Sequence, residues 1–241
     1  VSALLSGVLL SCATLGILRF HILAKAVTGS AFSGSLLILF GLISVAVAAP
    51  FILEQSDTKR LLAYSSVEHM GLAAIGFGFG GTLGSYGAIL HVINHAFTKS
   101  LLFFSSGHLL YQFHTKEIKK IRGIFRTNPF LGTVFFFAIL AIAGMPPFSI
   151  FVSEFSILSA GFSAKEFSVC GILLILLALI FAGFLRHASR MTFGPHTEES
   201  SVPANPLMDS VLGVGLLLIL VMGFFIPGFL SHLIEKAGQI T

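Results

Sequence analysis

The sequence predicts an all-α polytopic membrane protein of about seven transmembrane helices, one of them broken by a Pro-Pro pair. Three observations carry that prediction. Of 241 residues, 55% are hydrophobic and only 10% charged, and the mean hydropathy is +0.97. Uncharged runs of about 20 residues, each enough to cross about 30 Å of hydrocarbon as a helix, recur along the chain. Between them, charges, glycines and prolines gather in short stretches that end helices. No soluble domain is visible, and residues 1–241 read as a single transmembrane domain.

The elements follow in order. The chain starts Val1-Ser2-Ala3-Leu4 with neither an initiator Met nor a basic n-region. Residue 1 is therefore read as not the biological start, and the first span, 1–24, as a resident helix instead of a signal peptide. A second span covers 28–53. The charged run Glu54-Gln55-Ser56-Asp57-Thr58-Lys59-Arg60 separates it from the third, 61–80, which Asp57 is placed to cap. Gly78-Phe79-Gly80-Gly81 makes a tight turn before the fourth span, 84–111, and the basic loop Phe113 to Asn128 follows. The fifth span, 130–162, is too long for one crossing. At its middle Gly144-Met145-Pro146-Pro147 removes two backbone donors, so it is expected as two half-helices joined by an unwound segment at 144–147. The sixth and seventh spans are 167–186 and 208–231.

Lys59, Arg60, Lys116, Lys119, Lys120, Arg122, Arg126, Arg186 and Arg190 fall on one side of these spans, and Arg19, Lys25, Lys165 and Lys236 on the other. The first side is expected to be cytoplasmic. The net charge of +4 and a pI near 9.3 thus report orientation and lipid headgroup contact, not a nucleic-acid partner. Cys12 and Cys170 lie in apolar segments without a CxxC or Cys/His cluster, which argues against a disulfide framework, an iron–sulfur centre or structural zinc. No dinucleotide, phosphate-loop or haem motif and no nucleophile constellation is present, so no cofactor is expected. The 26 phenylalanines read as lipid and helix contacts.

Six ionisable side chains stand at membrane depth: Glu68, His69, His91, His95, Lys99 and Glu154. Such residues mark ion or proton pathways. His91, His95 and Lys99, spaced i, i+4, i+8, drift only about 80° around a helix while climbing about 12 Å, one stripe able to hand a proton along. Zinc at His91 and His95 would lack a neighbouring carboxylate or cysteine, and no metal is expected. Glu68 and His69 project about 100° apart and are expected not to share a face.

Three ordered motifs carry a resemblance over nearly the whole chain: Asp57-Thr58-Lys59-Arg60-Leu61-Leu62-Ala63-Tyr64-Ser65-Ser66-Val67-Glu68-His69-Met70-Gly71, then His91-x3-His95-x3-Lys99, then Gly144-Met145-Pro146-Pro147 with Phe151-Val152-Ser153-Glu154-Phe155. The sequence resembles the antiporter-like proton-translocating subunits of respiratory complex I, multisubunit sodium/proton antiporters and membrane-bound hydrogenases, most of all hydrogenase-4 component F. The resemblance implies a C-terminal half: one five-helix repeat of an inverted-repeat fold plus flanking helices. It implies Lys99 at or beside the central lysine, His91 and His95 as connecting histidines, and Glu154 as the exit-side group; Glu68 and His69, by their depth in the membrane, read either as further relay members or as structural interhelical hydrogen bonds. It implies proton transport, alternatively sodium/proton exchange or a non-conducting assembly scaffold, in a bacterial or archaeal inner membrane, with other membrane subunits as partners and the redox centres elsewhere. One departure stands out. The family's eighth helix carries a Lys or His, whereas Ser6-Gly7-Val8-Leu9-Leu10-Ser11 offers only serines.

Overall fold

The computed structural model describes residues 1–195 and 206–239. Helix α1 runs Ser2–Thr28 with a π-turn at Leu5–Leu9, α2 Ser30–Leu53, α3 Thr58–Phe79 and α4 Gly81–Phe113. The short α5, Ile124–Thr127, leads into α6, Pro129–Ile142. Then come α7, Ser149–Ser163, α8, Phe167–Phe193, α9, Pro206–Phe224, and α10, Gly228–Gly238. No named strand occurs among the described residues.

Helix α4 is the axis of the bundle. At about 1.5 Å per residue its 33 residues exceed the hydrocarbon thickness, and α3, α6, α7, α9 and α10 all pack on it. Outward-facing Phe20, Phe167, Ile175 and Phe224 leave an apolar surface on the outer helices, as lipid contact requires. By length and composition alone, Ser2–Thr28, Ala31–Leu53, Phe167–Phe193 and Pro206–Phe224 qualify as membrane spans. Helices α3 and α4 do not, because they carry polar and ionisable side chains, of which Glu68, His69, His91, His95 and Lys99 face inward.

Helices α2 and α3 lie unusually close because four glycines face each other in antiparallel register. A Cβ on Gly41 would come within 2.5 Å of the Gly71 carbonyl oxygen, and one on Gly34 within 2.8 Å of the Gly78 oxygen. Small residues at such a seam let backbones touch, the usual source of helix association in lipid. A further close approach joins α9 to the broken segment. Gly223 sits directly against the Pro147 carbonyl, leaving no room for a Cβ.

The structure differs from the sequence expectation at several ends. The sixth span, expected over 167–186, continues as helix to Phe193. There His187 Nε2 donates to the Ile52 carbonyl at 2.9 Å, which ties the extra turns to the end of α2. The seventh, expected over 208–231, stops at Phe224. Pro227 cannot continue the backbone ladder, and Gly228–Gly238 forms a separate helix packed on the start of α4, with Tyr86 Oη 3.2 Å from Ser231 Oγ. The fifth span is interrupted between Ile142 and Ser149, a wider gap than 144–147.

At the basic end, Asp57 Oδ1 accepts from the Lys59 and Arg60 amides at 2.8 and 3.2 Å, capping α3. Its other oxygen pairs with Lys116 Nζ at 3.0 Å, and Thr58 N donates to the Lys116 carbonyl at 2.9 Å. The loops before α3 and after α4 are thereby clasped. Partial burial pushes the Asp57 carboxyl upward, but the Lys116 hydrogen bond and the two amides outweigh it and hold it below the usual value. A carboxyl depressed on folding contributes stability above its unfolded pKa and loses it as pH falls through the folded one. Asp57→Ala is expected to lower thermal stability in detergent at neutral pH by about 1 kcal/mol. The gap from wild type should shrink as pH is brought below about 3.9; a gap independent of pH would refute the ionic contribution.

Candidate functional site

Three helices meet at the middle of the bundle, each turning polar side chains inward. Along α4, His91, Asn94, His95, Thr98 and Lys99 are all at most 1% exposed, the one-sided array that i, i+4 spacing produces. Helix α3 supplies Ser65, Ser66, Glu68 and His69, and α7, starting just after the break, supplies Ser149, Ser153 and Glu154. The break matters to this geometry. Asn94 Nδ2 donates to the Ser149 carbonyl at 2.7 Å, pinning the start of α7 against α4.

Lys99 is wholly buried. Its Nζ donates to the Leu62 carbonyl at 2.5 Å and to the Ser65 hydroxyl. The same carbonyl accepts from Ser65 Oγ at 3.1 Å and Ser66 Oγ at 3.2 Å. Ser66 Oγ is in turn 2.7 Å from Ser6 Oγ in the π-turn of α1. Hydroxyls and one carbonyl thus join α1 to the Lys99 ammonium.

On the other side, His69 reaches in from α3 between the two α4 histidines. Its Nδ1 lies 3.1 Å from His91 Nε2, and its ring centre is 5.1 Å from that of His91 and 5.3 Å from that of His95. His91 Nδ1 is 3.0 Å from Ser153 Oγ on α7. His95 lies between the His69 ring and Lys99 along α4, with both ring nitrogens lacking a partner among the described residues. Glu68 and His69, expected not to share a helix face, nevertheless meet at one site: both are fully buried, and Glu68 Oε2 lies 3.5 Å from His69 Nε2. Their directions straddle the seam where α4 and α7 meet, and a glutamate is long enough to bend back into it. Single oxygen or nitrogen atoms of Glu68, His69 and Glu154 lie within 4.8 Å of one another.

Glu154 rests on the broken segment. Gly144 has φ +77°, and a Cβ there would overlap the Glu154 carboxylate, lying 2.9 Å from its Cδ. The glycine both permits the left-handed turn and opens the space that the carboxylate fills. Sequence reasoning leaves Asn94, Ser65 and Ser66 without a role. Their signal is polarity recurring at helical spacing inside apolar spans, which reads equally well as packing until the partner helix is placed. Glu68 Oε2, His69 Nε2, Asn94 Oδ1, Ser149 Oγ and both nitrogens of His95 have no well-formed hydrogen-bond partner among the described residues. Buried atoms of this kind cost about 1–3 kcal/mol each if left dry, so the site calls for exchangeable partners, water or shared protons.

A bundle with a broken helix, lined from three sides by buried histidines, a lysine and two carboxylates, belongs to the class of antiporter-like membrane subunits. Residues 1–184 match the family model described as NADH:quinone oxidoreductase/Mrp antiporter, transmembrane, and the chain belongs to that family. It is 37% identical over 227 residues to a hydrogenase-4 component F homolog of Methylacidiphilum infernorum, covering 94% of this chain and 47% of that protein. It is 31% identical to NADH-quinone oxidoreductase subunit M of Pseudomonas aeruginosa, covering 90% and 43%. A chain of respiratory complex I from Thermus thermophilus, solved with bound NADH, superimposes with a TM-score of 0.80 at 26% identity, covering 98% of this chain and 52% of that one. The chain spans about half the length of the curated relatives it matches.

Gly144→Ala is expected to cost about 1–3 kcal/mol from the left-handed backbone alone and more from the collision with Glu154. Thermal unfolding of Gly144→Ala, Glu154→Ala and the double variant separates the two. The double variant should be more stable than the sum of the single losses predicts, and strict additivity would show that the carboxylate does not press on Gly144.

Proposed function

We propose that this chain carries protons through the membrane as a subunit of a redox-driven complex, along a buried row formed by Lys99, His95, His69 and His91 and ending at Glu68 and Glu154. The observation that carries the reading is the insertion of His69 between His91 and His95, which turns a stripe on one helix into a bridge across three. His91 and His69 share a ring-nitrogen contact of 3.1 Å, the separation at which a proton passes between imidazoles. His95 has the position and the open ring nitrogens to exchange with Lys99 through a water or a small ring movement. From His91 the row continues past Ser153 towards the carboxylates beside the unwound segment.

Where the family resemblance implies a Lys or His on the helix before the repeat, the Ser6–Ser66 hydroxyl pair ends at the Leu62 carbonyl shared with Ser65 and Lys99; that carbonyl has no proton to give, so passage to Lys99 needs a water between Ser66 and Ser65. Hydroxyl groups both donate and accept, so they conduct a proton only by taking one and releasing another. Redox chemistry belongs to partner subunits of a hydrogenase-like or complex I-like assembly, because the motifs of this chain supply no cofactor ligands. The basic end, with Lys59, Arg60 and the Phe113–Asn128 loop, faces the cytoplasm of a bacterial or archaeal cell. Sodium/proton exchange is the second reading, favoured by the approach of Glu68 and Glu154 near the unwound segment.

Inverted vesicles containing the assembled complex test this directly. In sodium-free buffer, Lys99→Ala is expected to abolish proton pumping while native gels show intact assembly. His69→Ala is expected to reduce it at least about 10-fold, in line with the loss of a positioned proton-transfer group. Unchanged pumping in Lys99→Ala would sink the relay and favour the assembly scaffold, and pumping that requires added sodium would favour the exchanger.

A further inference from the structure

The meeting point of Glu68, His69 and Glu154 has a second chemical capacity. Glu68 Oε2 has no hydrogen-bond partner among the described residues and His69 Nε2 no well-formed one, the Ile142 backbone lying beside that ring, although both side chains are buried, and the two atoms stand 3.5 Å apart. A tetrahedral zinc ion with bonds of about 2.0–2.2 Å holds its ligand atoms about 3.3–3.6 Å from each other. The two atoms are therefore already spaced as a pair of zinc ligands. Glu154 offers a third donor, one ligand atom from each of the three residues lying within 4.8 Å of the others. Two carboxylates and one neutral imidazole balance the charge of a dication.

We infer that Glu68, His69 and Glu154 form a Zn²⁺-binding site with three protein ligands and the fourth position open. The donor set selects the metal. Calcium and magnesium require six or more oxygens, whereas imidazole suits zinc. Lys99, within electrostatic reach of Glu68, opposes a cation there, but its ammonium is directed to the Leu62 carbonyl and Ser65. Glu154, 8% exposed and seated against Gly144, is the ligand nearest the broken segment. Metal on His69 Nε2 leaves Nδ1 carrying the ring proton, donated to His91 Nε2. A fixed tautomer cannot relay, so bound zinc blocks the row. The block rests on the proton-relay reading; the binding does not.

Chelator-stripped assembled complex, loaded with Zn²⁺ and washed, provides the test by metal analysis and zinc-edge X-ray absorption. Wild type is expected to bind about one zinc more than Glu68→Gln or Glu154→Gln, at an affinity at least about 10-fold higher, with mixed oxygen and nitrogen ligation. His108→Gln, on α4 nine residues beyond Lys99, is expected to bind as wild type does. Equal zinc uptake in wild type and both glutamine variants overturns the site. Cluster-dependent zinc without inhibition of pumping keeps the metal site and counts against the relay. Absence of such zinc, with pumping still lost in Lys99→Ala, removes the metal site alone.

Discussion

The burial of the Lys99 ammonium is the constraint on which the rest of the bundle depends. Placing a charged lysine at membrane depth costs about 2.5–3.5 kcal/mol on insertion scales, and a long apolar helix offers it nothing in return. The return comes from α3, whose Leu62 carbonyl and Ser65 hydroxyl take the Nζ hydrogens. A helix carbonyl is accessible to a neighbouring side chain only when the two helices lie close and in the right register. That requirement fixes α3 against α4, and with it the depth at which Glu68 and His69 enter the centre. The glycine contacts with α2 hold α3 from behind, and Asn94 draws α7 in from the front. Each of these arrangements would be arbitrary for an apolar bundle.

The break between α6 and α7 completes the arrangement. A continuous helix there would bury its backbone polar groups in its own ladder and would present its side chains at fixed angles. The interruption sets the first turn of α7 against Asn94, whose Nδ2 donates to the Ser149 carbonyl, and lets Gly144 adopt a left-handed turn beneath the Glu154 carboxylate. Irregular backbone at this depth is tolerated only where protein surrounds it, and α9 provides the cover by lying directly on Pro147 through Gly223. The helix that closes the bundle and the segment that carries the acidic end of the row are thus packed as one unit.

Most of this is legible in the sequence because charge is expensive in an apolar chain. Asp57 before Thr58-Lys59-Arg60 reads as a cap, and Gly144-Met145-Pro146-Pro147 can hardly be read as anything but a break. The i, i+4, i+8 spacing of His91, His95 and Lys99 is enough by itself to place them on one face of a helix. What the sequence withholds is partnership between helices. Glu68 and His69 diverge on a helical projection, yet they converge in space because the seam between α4 and α7 lies between their directions. Ser6 and Ser66 look like ordinary small residues until α1 and α3 are brought together. The last span ends earlier than hydropathy suggests for a local reason: apolar residues continue past Phe224, where Pro227 stops the backbone.

The paired glycines of α2 and α3 have a mechanical meaning. Side-chain interfaces can slide, because rotamers give way; a seam in which Gly34 faces Gly78 and Gly41 faces Gly71 backbone to backbone has no such compliance. With two contact points about 10 Å apart along each axis, these helices cannot tilt or rotate against each other without parting. A push on α2 would therefore be passed to α3 whole, instead of being absorbed by side chains between them, and the two helices count mechanically as a single rod.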